Sequence, residues 1–102
     1  MASTKLNLIS ILGENPKIRV IDFLMDNFAL DFSLPQIASG SKVAYTTLID
    51  LLPLLLKQEM IIETRKIGKS NLFKINLDNP IVKAFFAIDL KLSEVMQKEL
   101  VA

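Results

Sequence analysis

The stretch from Ser33 to Ile75, SLPQIASGSKVAYTTLIDLLPLLLKQEMIIETRKIGKSNLFKI, constrains the fold more than any other part of the chain. Ser33 is followed three residues on by Gln36, a capping box, and Pro35 sits in the first turn, where its missing N–H is tolerated. The short helix so opened runs through Ile37 and Ala38, and Gly40 is expected to stop it. A Ser-Gly-Ser turn leads into a longer apolar helix, from about Val43 to Gln58, with Leu48, Leu52 and Leu55 inward. Pro53 lies inside that helix and predicts a kink, because it removes one backbone donor. Beyond it, Ile61, Glu63, Arg65 and Ile67 alternate against Ile62, Thr64 and Lys66. Leu72, Lys74 and Asn76 alternate against Phe73, Ile75 and Leu77. The Gly68-Lys69-Ser70 turn between the two runs makes them a β-hairpin with one apolar face.

Two further helices flank this unit. Asn15-Pro16 is a start signal, since Asn caps free amides and Pro is harmless at the first position. Ile18, Val20, Ile21, Leu24, Met25 and Phe28 then recur at helical spacing, and the helix should end near Asn27 or Phe28. Asp31, Phe32 and Ser33 form a short extended link. Asn79-Pro80 repeats the start signal and opens a helix reaching about Leu100. One stripe of it holds Ile81, Phe85, Ile88, Leu92 and Val95, and Val82, Phe86, Met96 and Leu100 widen the stripe. Residues 1–13 are ambiguous: Leu6, Leu8, Ile9, Ile11 and Leu12 fit a strand or a helical turn, and should pack on the core or on a partner.

Composition removes several function classes. The chain has 102 residues, with no cysteine and no histidine. Disulfides, thiol chemistry and the commonest zinc ligand and general base are therefore absent. The Asp22 and Asp26 pair reads as solvated charge, and Ser39-Gly40-Ser41 is a turn without the Gly-rich loop and Lys-Ser/Thr of a phosphate loop. We expect no enzyme activity and no cofactor. With 12 basic and 11 acidic residues the net charge is only +1, so any affinity for nucleic acid must come from local charge. No apolar run reaches the ~18 residues of a membrane span. The start of the chain lacks a cleavage site for a signal peptide, and a cytoplasmic protein is expected.

The segments NPKIRVIDFLMDN, DFSLPQIAS, AYTTL and EMIIETRKIGKSNLFKINLDNPIVKAF, in that order, resemble the archaeal winged helix-turn-helix transcriptional regulators. The resemblance covers roughly residues 13–92. With the reading of the residues it gives a mainly α single domain over 1–102 with a small β-hairpin wing, its core at 13–77, the wing at about 61–77 and a long C-terminal helix at 80–100 expected to mediate dimerisation. It also implies a homodimer on double-stranded operator DNA, with the long apolar helix in the major groove and the wing beside it. Where the resemblance leads us to expect basic residues, at about 49 to 54, this chain has Ile49, Asp50, Pro53 and Leu54.

The residues themselves supply candidates. Arg65, Lys66, Lys69 and Lys74 on the hairpin, with Ser70 and Asn71 near its tip, are suited to phosphate; a solvated edge that discourages strand pairing is the alternative. Lys42, Tyr45, Thr46 and Thr47 at the start of the apolar helix could position the chain or meet base edges. The surplus stripe of the last helix, Phe85, Ile88, Leu92 and Val95, is expected at a homodimer interface. The run LIDLLPLLL exceeds what one helix face can bury, so it belongs either to a buried helix in a tight dimer or to a surface for a protein partner. A winged-helix protein-interaction module without DNA binding is thus the second reading.

Overall fold

The computed structural model describes residues 8–101, with side-chain surroundings from 9 to 95. Leu6, and the side chains of Met96 and Leu100, lie outside the described residues. The elements are α1 (Leu8–Leu12), α2 (Pro16–Asp26), β1 (Phe32–Ser33), α3 (Leu34–Ser41), α4 (Tyr45–Lys57), β2 (Ile61–Ile67), β3 (Ser70–Ile75) and α5 (Pro80–Val101). Three helices, a hairpin and a strand that completes a small sheet make this a winged helix-turn-helix. The ambiguous start resolves as helix from Leu8.

The helix starts form as their caps dictate. Asn15 accepts the Ile18 amide at 2.9 Å. Ser33 and Gln36 close the capping box from both sides, at 3.4 and 2.9 Å. Asn79, buried, accepts the Ile81 amide at 2.7 Å and donates to the carbonyls of Gln58 and Glu59 at 2.9 and 2.8 Å. One side chain therefore caps α5 and fastens it to the turn after α4. That turn is a Schellman motif: Glu59 takes the left-handed position, at φ 56, while the amides of Glu59 and Met60 bond back to Leu56 and Leu55.

The core gathers Val20, Ile21, Leu24 and Met25 from α2, Ile37 and Ala38 from α3, and Leu48 and Leu55 from α4. Ile61, Phe73, Ile75 and Val82 close it from the sheet and α5. Leu52 packs against this cluster half-buried.

Three expectations need correction. Gly40 does not stop α3; the helix runs through it to Ser41 and ends where Lys42 turns left-handed at φ 58. Gly40 is glycine for a packing reason, since a Cβ there would overlap the Phe23 ring. That ring packs in turn on Phe32, centroids 5.0 Å apart and planes tilted by 50°. Next, α4 starts at Tyr45 and runs through Pro53 as one helix to Lys57. Pro53 and Ile49, whose carbonyl loses its donor, are both exposed, so the missing bond falls on the solvent side.

The third correction concerns the hairpin. The sheet order is β1-β3-β2, all antiparallel. Glu63 lies opposite Phe73, but the next pair is Arg65 with Leu72, so Thr64 is a β-bulge. Directly opposed residues share a face, and one extra residue flips everything after it. Ile61 and Glu63 share the face of Phe73 and Ile75. Beyond the bulge, Lys66 joins that face opposite Asn71, while Arg65 moves to the face of Leu72 and Lys74. Simple alternation had put Arg65 with Ile61 and Glu63. The apolar face is also shorter than expected, because β2 buries only Ile61.

Candidate nucleic-acid interface

The start of α4 meets the wing tip across an open groove of about 310 Å³. It is lined by Tyr45 and Leu52 of α4, by Lys69, Ser70, Asn71 and Phe73 of the hairpin, and by Ser33, Leu34 and Pro35. The topology explains the meeting. The capping box aims α3 away from β1, and β1 pairs with β3, which leads from the wing tip. Lys69 sits in the hairpin turn after Gly68, whose φ of +60 suits glycine. Ser70 is already in β3, paired with Ile67, and not in the turn. Asn71, which the sequence placed only near the tip, is a full member of the groove. Its position opposite Lys66 follows from the two-residue turn Gly68-Lys69, shorter than the three-residue turn the sequence suggests.

Tyr45 is 48% exposed, and Thr46 is exposed beside it. Thr47 is half-buried. No side chain caps α4, because Ala44 stands at the cap position, so the amides of its first turn are open to an acceptor. Lys42 does not join this groove. It lines a separate one with Glu14, Arg19, Asp22, Asp26 and Gly40, where the acidic residues oppose binding of an anion.

Arg65 is not an uncommitted cation. Its Nε donates to Asp31 Oδ2 at 2.9 Å and its second guanidinium nitrogen to Oδ1 at 3.2 Å. The Thr64 hydroxyl donates to Asp31 Oδ2 at 2.6 Å and lies 3.3 Å from the Leu72 carbonyl. Lys74 is half-buried on the same face as Arg65, opposite Ile62. The cations on or beside the groove are therefore Lys66 and Lys69.

The Arg65 guanidinium, with the Thr64 hydroxyl, holds the Asp31 carboxyl at about 2, below its ordinary value of 3.8. The carboxylate raises Arg65 in turn. A carboxyl depressed by folding contributes stability above its unfolded value and loses it as pH falls through the folded one. The stability lead of the parent chain over Asp31→Asn is thus expected to be constant above about pH 4 and to vanish toward pH 2. Thermal midpoints of both chains across that range check this; a lead that persists at pH 2 contradicts it.

Of the last-helix residues, Leu92 and Val95 line an apolar groove of about 410 Å³ with Ile11, Ala87, Ile88 and Lys91. Val95 is 48% exposed. Phe85 and Ile88 also pack, half-buried, against the chain's own core. Phe85 lines a different groove, with Asn15, Lys17, Ile18, Ile21, Gln58, Met60 and Ile81. Among the described residues there is no group of three or more Asp, Glu, His or Cys placed to hold a metal ion. No helix among them is long and apolar enough to cross a membrane.

No protein-family model matches the sequence, and no curated protein resembles it significantly. Solved structures do. A mutant of ZitR from Lactococcus lactis superposes with a TM-score of 0.60 at 19% identity, over 81% of this chain and 58% of that one. The same mutant in apo form gives a TM-score of 0.64 at 20% identity, over 88% of this chain and 70% of that one. The chain thus spans little more than half the length of the first and under three quarters of the second. At such identity the likeness carries the winged-helix fold.

Proposed function

We propose that this winged-helix chain is a sequence-specific, DNA-binding transcription regulator that acts as a homodimer in the cytoplasm, as the archaeal regulators it resembles are expected to act. The observation that carries the reading is the groove uniting Tyr45 with Lys69, Ser70 and Asn71, flanked by Lys66. Cations at a hairpin tip neutralise phosphate without regard to sequence. Thr46 and Tyr45, exposed at the first turn of α4, are the groups suited to base edges or to a further phosphate. The uncapped amides of that turn add donors for a phosphate oxygen.

The second partner is another copy. The 22 residues of α5 span about 33 Å. The radius of gyration, 14.5 Å, exceeds the ~13 Å of a compact chain of this size, as a projecting helix requires. Leu92 and Val95 lie on that helix beside Ile11. A two-fold contact there would cover the groove.

A protein-interaction module remains the second reading, favoured by the exposure of Ile49, Leu54 and Leu56 on α4 around Asp50. Gel retardation of random duplex DNA separates the two. Retardation at low salt that weakens as salt rises supports the regulator. A stoichiometric protein partner lost in Leu54→Asp, with no retardation at low salt, supports the module.

A further inference from the structure

The sequence grouped Arg65 with the wing lysines as a phosphate anchor. Its geometry differs from theirs in every respect that matters. Both hydrogen bonds of its fork go to one carboxylate, and it lies on the face of Leu72 and Lys74, away from the Tyr45 groove. The same carboxylate takes the Thr64 hydroxyl, and Thr64 is the bulge that turns Lys66 toward Asn71. Asp31 is the residue before β1, which is hydrogen-bonded to β3, so it reaches across the sheet from the opposite edge to β2.

We propose that Asp31 and Arg65 are positioning residues for DNA binding: their ion pair pins the Thr64 bulge and so decides which wing cation faces the groove. The proposal rests on the DNA-binding reading above. Register in a two-stranded wing is weakly specified when neither face is fully buried. Here β2 is exposed beyond Ile61, so apolar packing does not fix the bulge at Thr64. The carboxylate does so, by holding the bulged residue and its successor together. Without it, the wing can slip by one residue, which would turn Lys66 away and Arg65 toward the DNA.

The discriminating readout is the salt slope of binding. Each phosphate contact contributes about −0.9 to the slope, and a two-fold dimer carries every contact twice. Lys69→Ala should therefore flatten the slope by about 1.8, whereas Asp31→Ala, in which Arg65 takes the place of Lys66, should lower affinity on the order of tenfold and leave the slope unchanged. The exchanged pair, Asp31→Arg with Arg65→Asp, should recover affinity to within about threefold of the parent. Asp31→Ala binding more tightly with a steeper slope, with no recovery in the exchanged pair, would overturn the proposal. Amide hydrogen exchange of the wing is measured on the same variants without DNA. Faster exchange from Thr64 to Asn71 in Asp31→Ala is expected, and unchanged exchange overturns the clamp. If the parent binds no DNA, the regulator reading falls, and the exchange result shows separately whether the clamp exists.

Discussion

A chain carrying Leu92→Asp and Val95→Asp is expected to sediment as a monomer and to bind a duplex with two half-sites about 10²–10⁴-fold more weakly than its parent. The size of the effect follows from linkage. In a dimer, the second α4 start and wing bind at the high local concentration set by the first, and a monomer loses that advantage entirely. Two carboxylates per chain would be buried in an apolar contact whose lining offers one lysine, Lys91, already paired with Glu94. The positions are chosen so that the fold survives: Val95 is 48% exposed and Leu92 only half-buried in the single chain. Ile88, which packs on the chain's own core, would confound folding with assembly. Sedimentation velocity and an anisotropy titration on one- and two-half-site duplexes read the two effects. An unchanged dimer with unchanged affinity places the interface elsewhere.

The second large effect belongs to the wing. Replacing Lys66 and Lys69 together by Ala removes four cations from the dimer, which should flatten the salt slope by about 3.6. Hydrogen bonds to a charged group contribute about 1.5–3 kcal/mol each, so affinity should fall on the order of 10³-fold or more at low salt. The loss should be uniform across sequences, since phosphate contacts position and do not specify. Tyr45→Phe and Thr46→Val offer the contrast, a change in preference among sequences at an unchanged slope. Equal loss on every duplex from Thr46→Val would reassign that residue to phosphate.

Local signals carried most of the fold. Asn15-Pro16, Ser33 with Gln36, and Asn79-Pro80 each set a helix start through bonds spanning no more than three residues, and such bonds are legible in a linear string. The signals that misled were those whose meaning depends on a distant neighbour. Gly40 reads as a helix stop until the Phe23 ring is seen to occupy the space of its side chain. Pro53 costs a backbone bond, yet α4 is continuous through it to Lys57 and the position faces solvent. The bulged Thr64 bonds to Asp31, 33 residues earlier, and no alternation of apolar residues encodes the bulge. The candidate site was legible in the same measure. Tyr45, Lys66, Lys69 and Ser70 stand where a helix start and a hairpin tip would put them. Arg65, Lys74 and Lys42 were assigned by charge alone, and the sheet face or a neighbouring carboxylate gives each a different setting.

The apolar excess of α4 finds a partial explanation. Leu48 and Leu55 are buried and Leu51 and Leu52 pack against the core, whereas Ile49, Leu54 and Leu56 stay exposed. The chemistry of α4 is therefore divided along its length. Its first turn, polar and uncapped, faces the wing groove, and its second half carries an apolar surface with Asp50 that is poorly suited to phosphate.

An amide-resolved NMR titration of the chain with a 20-bp duplex tests this division most directly. Shifts concentrated at residues 44–47 and 66–71, with Ile49, Asp50, Leu54 and Leu56 undisturbed, are the predicted result. Shifts centred on Ile49 to Leu56, or none at low salt, would contradict it.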